Sequence, residues 1–406
     1  MLNALNMPAL EALPPRSRTQ ARPAARAPSC LQVVDTVAGL DALAPEWNDL
    51  FARAGRPINV FQTHAFAALW ARTYLARDGE TDTDTRLAIV TARVAGRLVL
   101  VWPLVIEHQL GLRVLSWLGA PIAQYGDILL DPSRDGAAIV DAAWDSIRTE
   151  LRPDVVRLRK VRADAAIAPH LARIGAVETC RDEAASVTLA GRDGQSFETG
   201  LSGRARKNRR RLMRRLREQG TVEFERLSGS AAAQALVEAG LAIKRRWLGA
   251  RGQYSQAFAD PRLDRFFGAA AAADATAGAG LTVYGLELDG RPISVVLGFA
   301  CQDRMTLHVI GYDLDVERSG AGVLALEAVL RDCESRGFTA VDLLAPKAAY
   351  KMDWADATID VVDHAVPVSL KGRACVTLYD GFIRGQAKAT LEHLPLALRQ
   401  LIAATV

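Results

Sequence analysis

The chain has 406 residues, half of them apolar and 24 % charged, with a formal net charge of +4 at pH 7. That is a globular composition with length for two domains, and so small a charge does not by itself imply nucleic acid. Five scattered cysteines with no C-x-x-C pair exclude a disulfide framework or zinc motif, and no apolar run approaches the roughly eighteen residues that span a membrane.

Residues 1–29 contain "LPPRSRTQARPAARAPS" and are rich in Pro, Ala and Arg, a composition that predicts disorder and lacks the features of a secretion signal. With the reduced thiols this suggests a cytoplasmic protein. Two strand-like runs from Leu87 flank an Ala95-Gly96 turn. A third strand, "RVLSWLG", ends at Gly119, followed by a helix over Asp135–Glu150 and a short strand from Val155 to Leu158. The second half repeats this order. Strand runs from Leu281 flank Asp289-Gly290, a strong hairpin signal, and "MTLHVIG" ends at Gly311. A helix over Gly320–Arg336 and a strand from Val341 to Leu344 complete it. The shared order predicts a duplicated α+β unit rather than a doubly wound parallel sheet.

Between the halves, Arg204–Arg217 carries nine Lys or Arg in fourteen residues and no acid. Ala205, Leu212 and Leu216 can form one narrow apolar stripe of a helix. Two readings fit: a solvated basic helix, or contact with an anionic ligand such as a phosphate group, acidic lipid or RNA. No aromatic residue interleaves the charges, which argues against specific single-stranded nucleic-acid binding.

The helix led by Gly320 and Gly322 begins with unpaired amides and a partial positive charge, so it either seats an anion or simply follows a glycine-shaped turn. Gly320-x-Gly322-x-x-Ala325, with Asp342 about twenty residues on, also fits a dinucleotide fingerprint. That reading fails because "YDLDVERS" separates the glycines from the preceding strand and because hairpins replace the crossover connections it needs. No G-x-S-x-G, HExxH or GKS/GKT motif supports a hydrolase or P-loop enzyme.

Three antiparallel strands, a glycine-led helix and a strand resemble the GNAT acyltransferase core. The stretches "SGRARKNRRRLMRRLREQG", "KRRWLGARGQYSQAF", "ELDGRPISVVLGF", "GYDLDVERSGAGVLALEAVL" and "LLAPKAAYKMDW" resemble the bacterial branch of BioF-like, or cellulose-biosynthesis-type, acetyltransferases. That branch is itself similar to two-lobed FemAB-type aminoacyl transferases. Where it usually has Tyr-Ser-Pro-Gly, this chain has Ser319-Gly320-Ala321-Gly322, and Pro346-Lys347-Ala348 replaces a Gly-Asp-Glu.

The resemblance implies a mixed α+β fold of two tandem GNAT-like lobes, each a mostly antiparallel central sheet flanked by helices. The expected parts are 1–29 (disordered), 30–195 (first lobe), 196–220 (basic connecting helix), 221–365 (acyltransferase lobe) and 366–406 (extension). It implies acetyl-CoA or another acyl-CoA as co-substrate, no metal, and a diphosphate at Arg318, Ser319, Gly320, Ala321, Gly322 and Val323. Acyl transfer needs a positioned neutral nucleophile, a donor for the oxyanion and a proton for the leaving thiolate. Tyr350 can supply that proton and Lys351 the oxyanion contact, unless they are a packing residue and a surface lysine. Asp313 and His308 are base candidates, with a half-buried structural histidine the alternative for His308. Trp247, Arg246 and Tyr254 are candidates for the acceptor side, where Trp247 could equally pack a helix on the sheet.

The expected function is acyl-CoA-dependent N- or O-acyl transfer directly to an amine or hydroxyl, on a small molecule or polysaccharide precursor. The rivals are FemAB-like aminoacyl transfer from tRNA and a degenerate, non-catalytic binding protein.

Overall fold

The computed structural model describes residues 30–75, 85–189, 196–273, 280–378, 394, 395 and 398. The expected disorder of residues 1–29 lies outside the described residues, as does most of the extension beyond 378. Among the described residues no helix is long and apolar enough to cross a membrane.

Among the described residues the first unit holds nine strands. These are β1 (Cys30–Val34), β2 (Arg86–Leu87), β3 (Ile89–Val94), β4 (Arg97–Trp102) and β5 (Leu104–Gln109), then β6 (Leu112–Trp117), β7 (Leu129–Leu130), β8 (Val155–Arg162) and β9 (Val177–Thr188). The second unit adds β10 (Val222–Leu227), β11 (Leu281–Leu288), β12 (Arg291–Cys301), β13 (Arg304–Tyr312), β14 (Ala340–Asp342) and β15 (Ala357–Pro367). Both hairpins form where the turn residues demand: Ala95 and Gly96 have φ of 53° and 78°, Asp289 and Gly290 51° and 74°.

The run predicted as one strand from Arg97 breaks at Pro103, which has no amide to donate. Its first part, β4, joins a four-stranded sheet in the order β1-β3-β4-β7, while β5 enters the large sheet.

That large sheet has eleven strands in the order β10-β11-β12-β13-β14-β9-β15-β8-β6-β5-β2 and runs through both units. The tandem α+β architecture is therefore joined by strand exchange: β9 of the first unit lies between β14 and β15, and β15 pairs with β8. Asp342, 1 % exposed, sits beside this seam. It accepts from Tyr125 Oη at 2.8 Å and Arg162 Nη1 at 3.0 Å in the first unit, and from Arg304 Nη1 at 3.3 Å in the second.

One departure from regular pairing makes room for chemistry. β13 is nine residues long but pairs with parallel β14 only over Arg304–Thr306. From Leu307 onward the two strands part, and the wedge between them opens onto the sheet's surface.

Candidate functional site: two clefts that meet

The first cleft, of about 1060 Å³, lies at the start of the helix Ala321–Ser335. Leu324, Ala325, Val329 and Leu330 bury one face of that helix in the second unit's core and so fix its direction. Its N-cap, Gly320, has φ +73°, a conformation glycine adopts without penalty, and no side chain caps the first amides. Gly320, Gly322 and Val323 face the cleft.

Opposite them stands the basic helix Gly203–Arg217, capped by Ser202 and anchored by buried Leu212 and Leu216. Arg204, Lys207, Asn208 and Arg211, spaced i, i+3, i+4 and i+7 on one face, line the same cleft. Arg209 stacks its guanidinium 3.7 Å from the Trp354 ring centroid. Glu317 also lines this cleft, but its charge is met by Arg251 at 2.7 Å and by the Tyr312 hydroxyl at 3.1 Å. An anion here would meet open amides on one wall and cations on the other.

The second cleft, of about 870 Å³, lies between the two units in the wedge beyond Leu307. Lys244, Ile310 and Tyr350 line both clefts, so the two spaces meet at these three residues. Tyr350 is 47 % exposed, with no hydrogen-bond partner for its hydroxyl among the described residues, and burial of its ring raises its pKa. Lys244 donates to the Ile310 carbonyl at 3.2 Å and lies 4.2 Å from the Trp247 ring centroid; burial brings its pKa down to about 8. Lys351, 6 % exposed, is also brought to about 8 by burial and donates to the carbonyls of Leu344 and Pro346, both at 2.8 Å. It thereby staples the loop that presents Tyr350.

On the facing wall, Lys160 sits inside strand β8 with φ +55°. A bulge in the β8–β15 register between Val362 and His364 accommodates it, and its amide donates to Asp363 Oδ1 at 2.9 Å. A lysine held there stores about 1–3 kcal/mol of backbone strain, of the kind found where a side chain is re-aimed at a functional site. Its Nζ donates to Gln124 Oε1 at 2.7 Å, and burial lowers its pKa to about 8.

The sequence-derived candidates fall in different places. Gly320, Gly322 and Val323 face the first cleft, whereas Ser319 and Ala321 are buried, and exposed Arg318 is not part of its lining. Tyr350 and Lys351 come together at the wedge, and His308 lines the second cleft. The His308 Nε2 is 2.6 Å from the Ile122 carbonyl and burial pushes its pKa down to about 4, so the ring is a neutral donor.

Asp313 lines neither cleft. It is 4 % exposed, ion-paired to Arg246 and Arg291, and accepts from the Asp315 amide at 3.1 Å, capping the turn before the helix. Trp247 lies on the first cleft, while Arg246 and Tyr254 line neither. Lys244, Lys160 and Gln124 were missed. Lys244, three residues before Trp247 on one helix, carried a readable i, i+3 signal; Lys160 reads only as a charged strand residue. Among the described residues no group of three or more His, Cys, Asp or Glu could hold a metal ion.

Residues 203–352 match the family model of an acetyltransferase (GNAT) domain. No curated protein matches the chain. Among solved structures, FemX superposes with a TM-score of 0.52 at 8 % identity, covering 77 % of this chain and 93 % of that one. A tandem GNAT protein from the clavulanic acid biosynthesis pathway gives 0.48 at 14 % identity over 84 % and 99 %. L-PGS from Bacillus licheniformis gives 0.48 at 10 % identity over 84 % and 96 %. At these identities the FemX likeness speaks to the fold alone.

Proposed function

We propose that the protein is a GNAT-type acyltransferase, moving an acyl group from an acyl-CoA, acetyl-CoA in the simplest case, directly to an amine or hydroxyl. The observation that carries this reading is that a cleft lined by a helix N-terminus on one side and by Arg204, Lys207 and Arg211 on the other meets a second cleft at Lys244, Ile310 and Tyr350. The diphosphate would rest on the amides of Gly322 and Val323, with Arg204, Lys207 and Arg211 opposite. The thioester then reaches the junction. The acceptor nucleophile attacks the thioester carbon as the Lys244 amine takes its proton. Two of the three Lys351 protons are committed to carbonyls, which leaves one for the developing oxyanion. The C–S bond breaks as the Tyr350 hydroxyl protonates the departing thiolate.

The environment suits this division of labour. Burial raises the phenol and lowers the amine to about 8, so near pH 8 one holds its proton while the other can accept one. Direct transfer fits better than a covalent acyl-enzyme, since among the described residues no Ser or Cys lines both clefts. A small molecule or an envelope-polysaccharide precursor is the acceptor we favour, and the free cysteines suit a reducing, cytoplasmic setting.

The second reading is aminoacyl transfer from tRNA. It draws on the outward face of the basic helix, where Arg206, Arg210, Arg214 and Arg217 are all exposed. Calorimetry with acetyl-CoA and with bulk tRNA, followed by a thiol-release screen of acceptors, separates the two. Acetyl-CoA binding with thiol release supports the proposal. Salt-sensitive tRNA binding without CoA affinity supports the rival, and affinity for neither leaves a non-catalytic protein.

A further inference from the structure

We propose that the second cleft is a site for an anionic acceptor and that Lys160 recognises its carboxylate or phosphate. The inference rests on the transfer reading for the word acceptor, but the binding site it describes stands on its own geometry.

Among the described residues, six cationic side chains line this cleft, against two carboxylates, Glu107 and Asp260. Asp260 is engaged by Arg262, whose Nη2 and Nε donate at 2.8 and 3.0 Å, so it adds little negative potential. A neutral acceptor gains nothing from such a wall, and a cationic one would be repelled. The anion would find the strongest contact at Lys160. An ammonium has three protons, and here one reaches Gln124 while no ion pair forms among the described residues. Gln124 is fixed in turn, its Nε2 donating to the Ile122 carbonyl at 2.9 Å, so the lysine has a rigid seat. The bulge and left-handed backbone that turn Lys160 inward have no evident packing purpose, since the residue carries no apolar bulk into the core.

Position narrows the ligand further. Gln124 Nε2 and His308 Nε2 both donate to the Ile122 carbonyl, which sets Lys160 on the His308 side of the cleft, and Ile310 at the junction lies two residues along β13. One same-face strand repeat is about 7 Å. An acceptor whose anionic group meets Lys160 while its nucleophile lies at the junction would span a distance on the order of one such repeat. This fits an ω-amino carboxylate or an amino-sugar phosphate better than an α-amino acid.

The test is calorimetry on the full chain with matched pairs: glucosamine 6-phosphate against glucosamine, and 6-aminohexanoate against 1-aminohexane, with acetyl-CoA titrated into the same samples. The account expects the anion of at least one pair to bind tenfold or more tightly than its neutral partner. The two pairs distinguish phosphate from carboxylate. Lys160→Asn, which tolerates the left-handed backbone, should abolish that preference, and Lys160→Arg should retain most of it, both with acetyl-CoA affinity unchanged. Equal binding within both pairs, or a preference that survives Lys160→Asn, overturns the inference. If acetyl-CoA binds while no anion preference exists, this inference fails and the transfer reading stands; the reverse result does the opposite.

Discussion

Leu212 and Gly320 touch. A β-carbon built on Gly320 would lie 2.7 Å from Leu212 Cδ1, closer than such atoms approach, and Gly320 also has φ +73°. The basic helix is thus pressed against the N-cap of the glycine-led helix, which sets its cations across the cleft from open amides.

Gly320→Val should therefore destabilise the protein by about 1–3 kcal/mol through backbone strain alone, and push the two helices apart. Denaturant unfolding reads the first effect. Acetyl-CoA calorimetry reads the second as at least a tenfold loss of affinity in the folded fraction, and undiminished affinity would argue against the paired-helix site.

The charges on that facing helix make a separate prediction. Replacing Arg204, Lys207 and Arg211 together by Ala should weaken acetyl-CoA binding about tenfold at low salt and flatten its salt dependence, because exposed ion contacts are worth only about 0.2–1 kcal/mol each. Binding measured at two salt concentrations checks this; an unaltered salt slope assigns the phosphates elsewhere.

How much of this was readable beforehand depended on how local the signal was. Asp289-Gly290 and Ala95-Gly96 announced their hairpins through turn chemistry, and Gly320 and Gly337 bracketed a helix that runs from Ala321 to Ser335. β9 was invisible: "VETCRDEAASVT" lacks a clean alternation because it is inserted between strands of the other unit, and its partners come from residues over a hundred positions away. The same distance hid Lys160, whose meaning comes from a bulge against β15. Asp313 misled for a similar reason. Its carboxylate looked available, yet Arg246 and Arg291 reach it from two other elements.

The seam itself is testable. Asp342→Asn removes the carboxylate shared by Tyr125, Arg162 and Arg304, leaving Arg162, itself buried, without its partner across the units. Because Arg162 keeps Asp164, whose Oδ1 lies 2.9 Å from its Nε, the loss is expected to be about 1–3 kcal/mol, visible as a lower denaturant midpoint. A midpoint unchanged from wild type would show that strand exchange alone holds the units.

pH should report the base. Only the neutral Lys244 amine accepts a proton and only the charged Lys351 has one to spare for the oxyanion, so turnover should peak near pH 8 and fall on both sides, the acid limb reporting Lys244. Arg251 is the charge that assists the downward shift of Lys244, and Lys244→Met should lose both the rate and the acid limb. A profile flat on the acid side in the wild type removes Lys244 from proton transfer.

Tyr350→Phe should lower kcat by about 10²–10⁴-fold while leaving acyl-CoA affinity within twofold, since only the proton delivered to the thiolate is lost. Turnover equal to wild type would take Tyr350 out of the mechanism.

The most direct test is a crystal structure of the protein with acetyl-CoA. The account predicts diphosphate oxygens within hydrogen-bond distance of the amides of Gly322 and Val323 and the thioester carbonyl beside Tyr350. A nucleotide lodged anywhere else, with those amides facing only solvent, would contradict it.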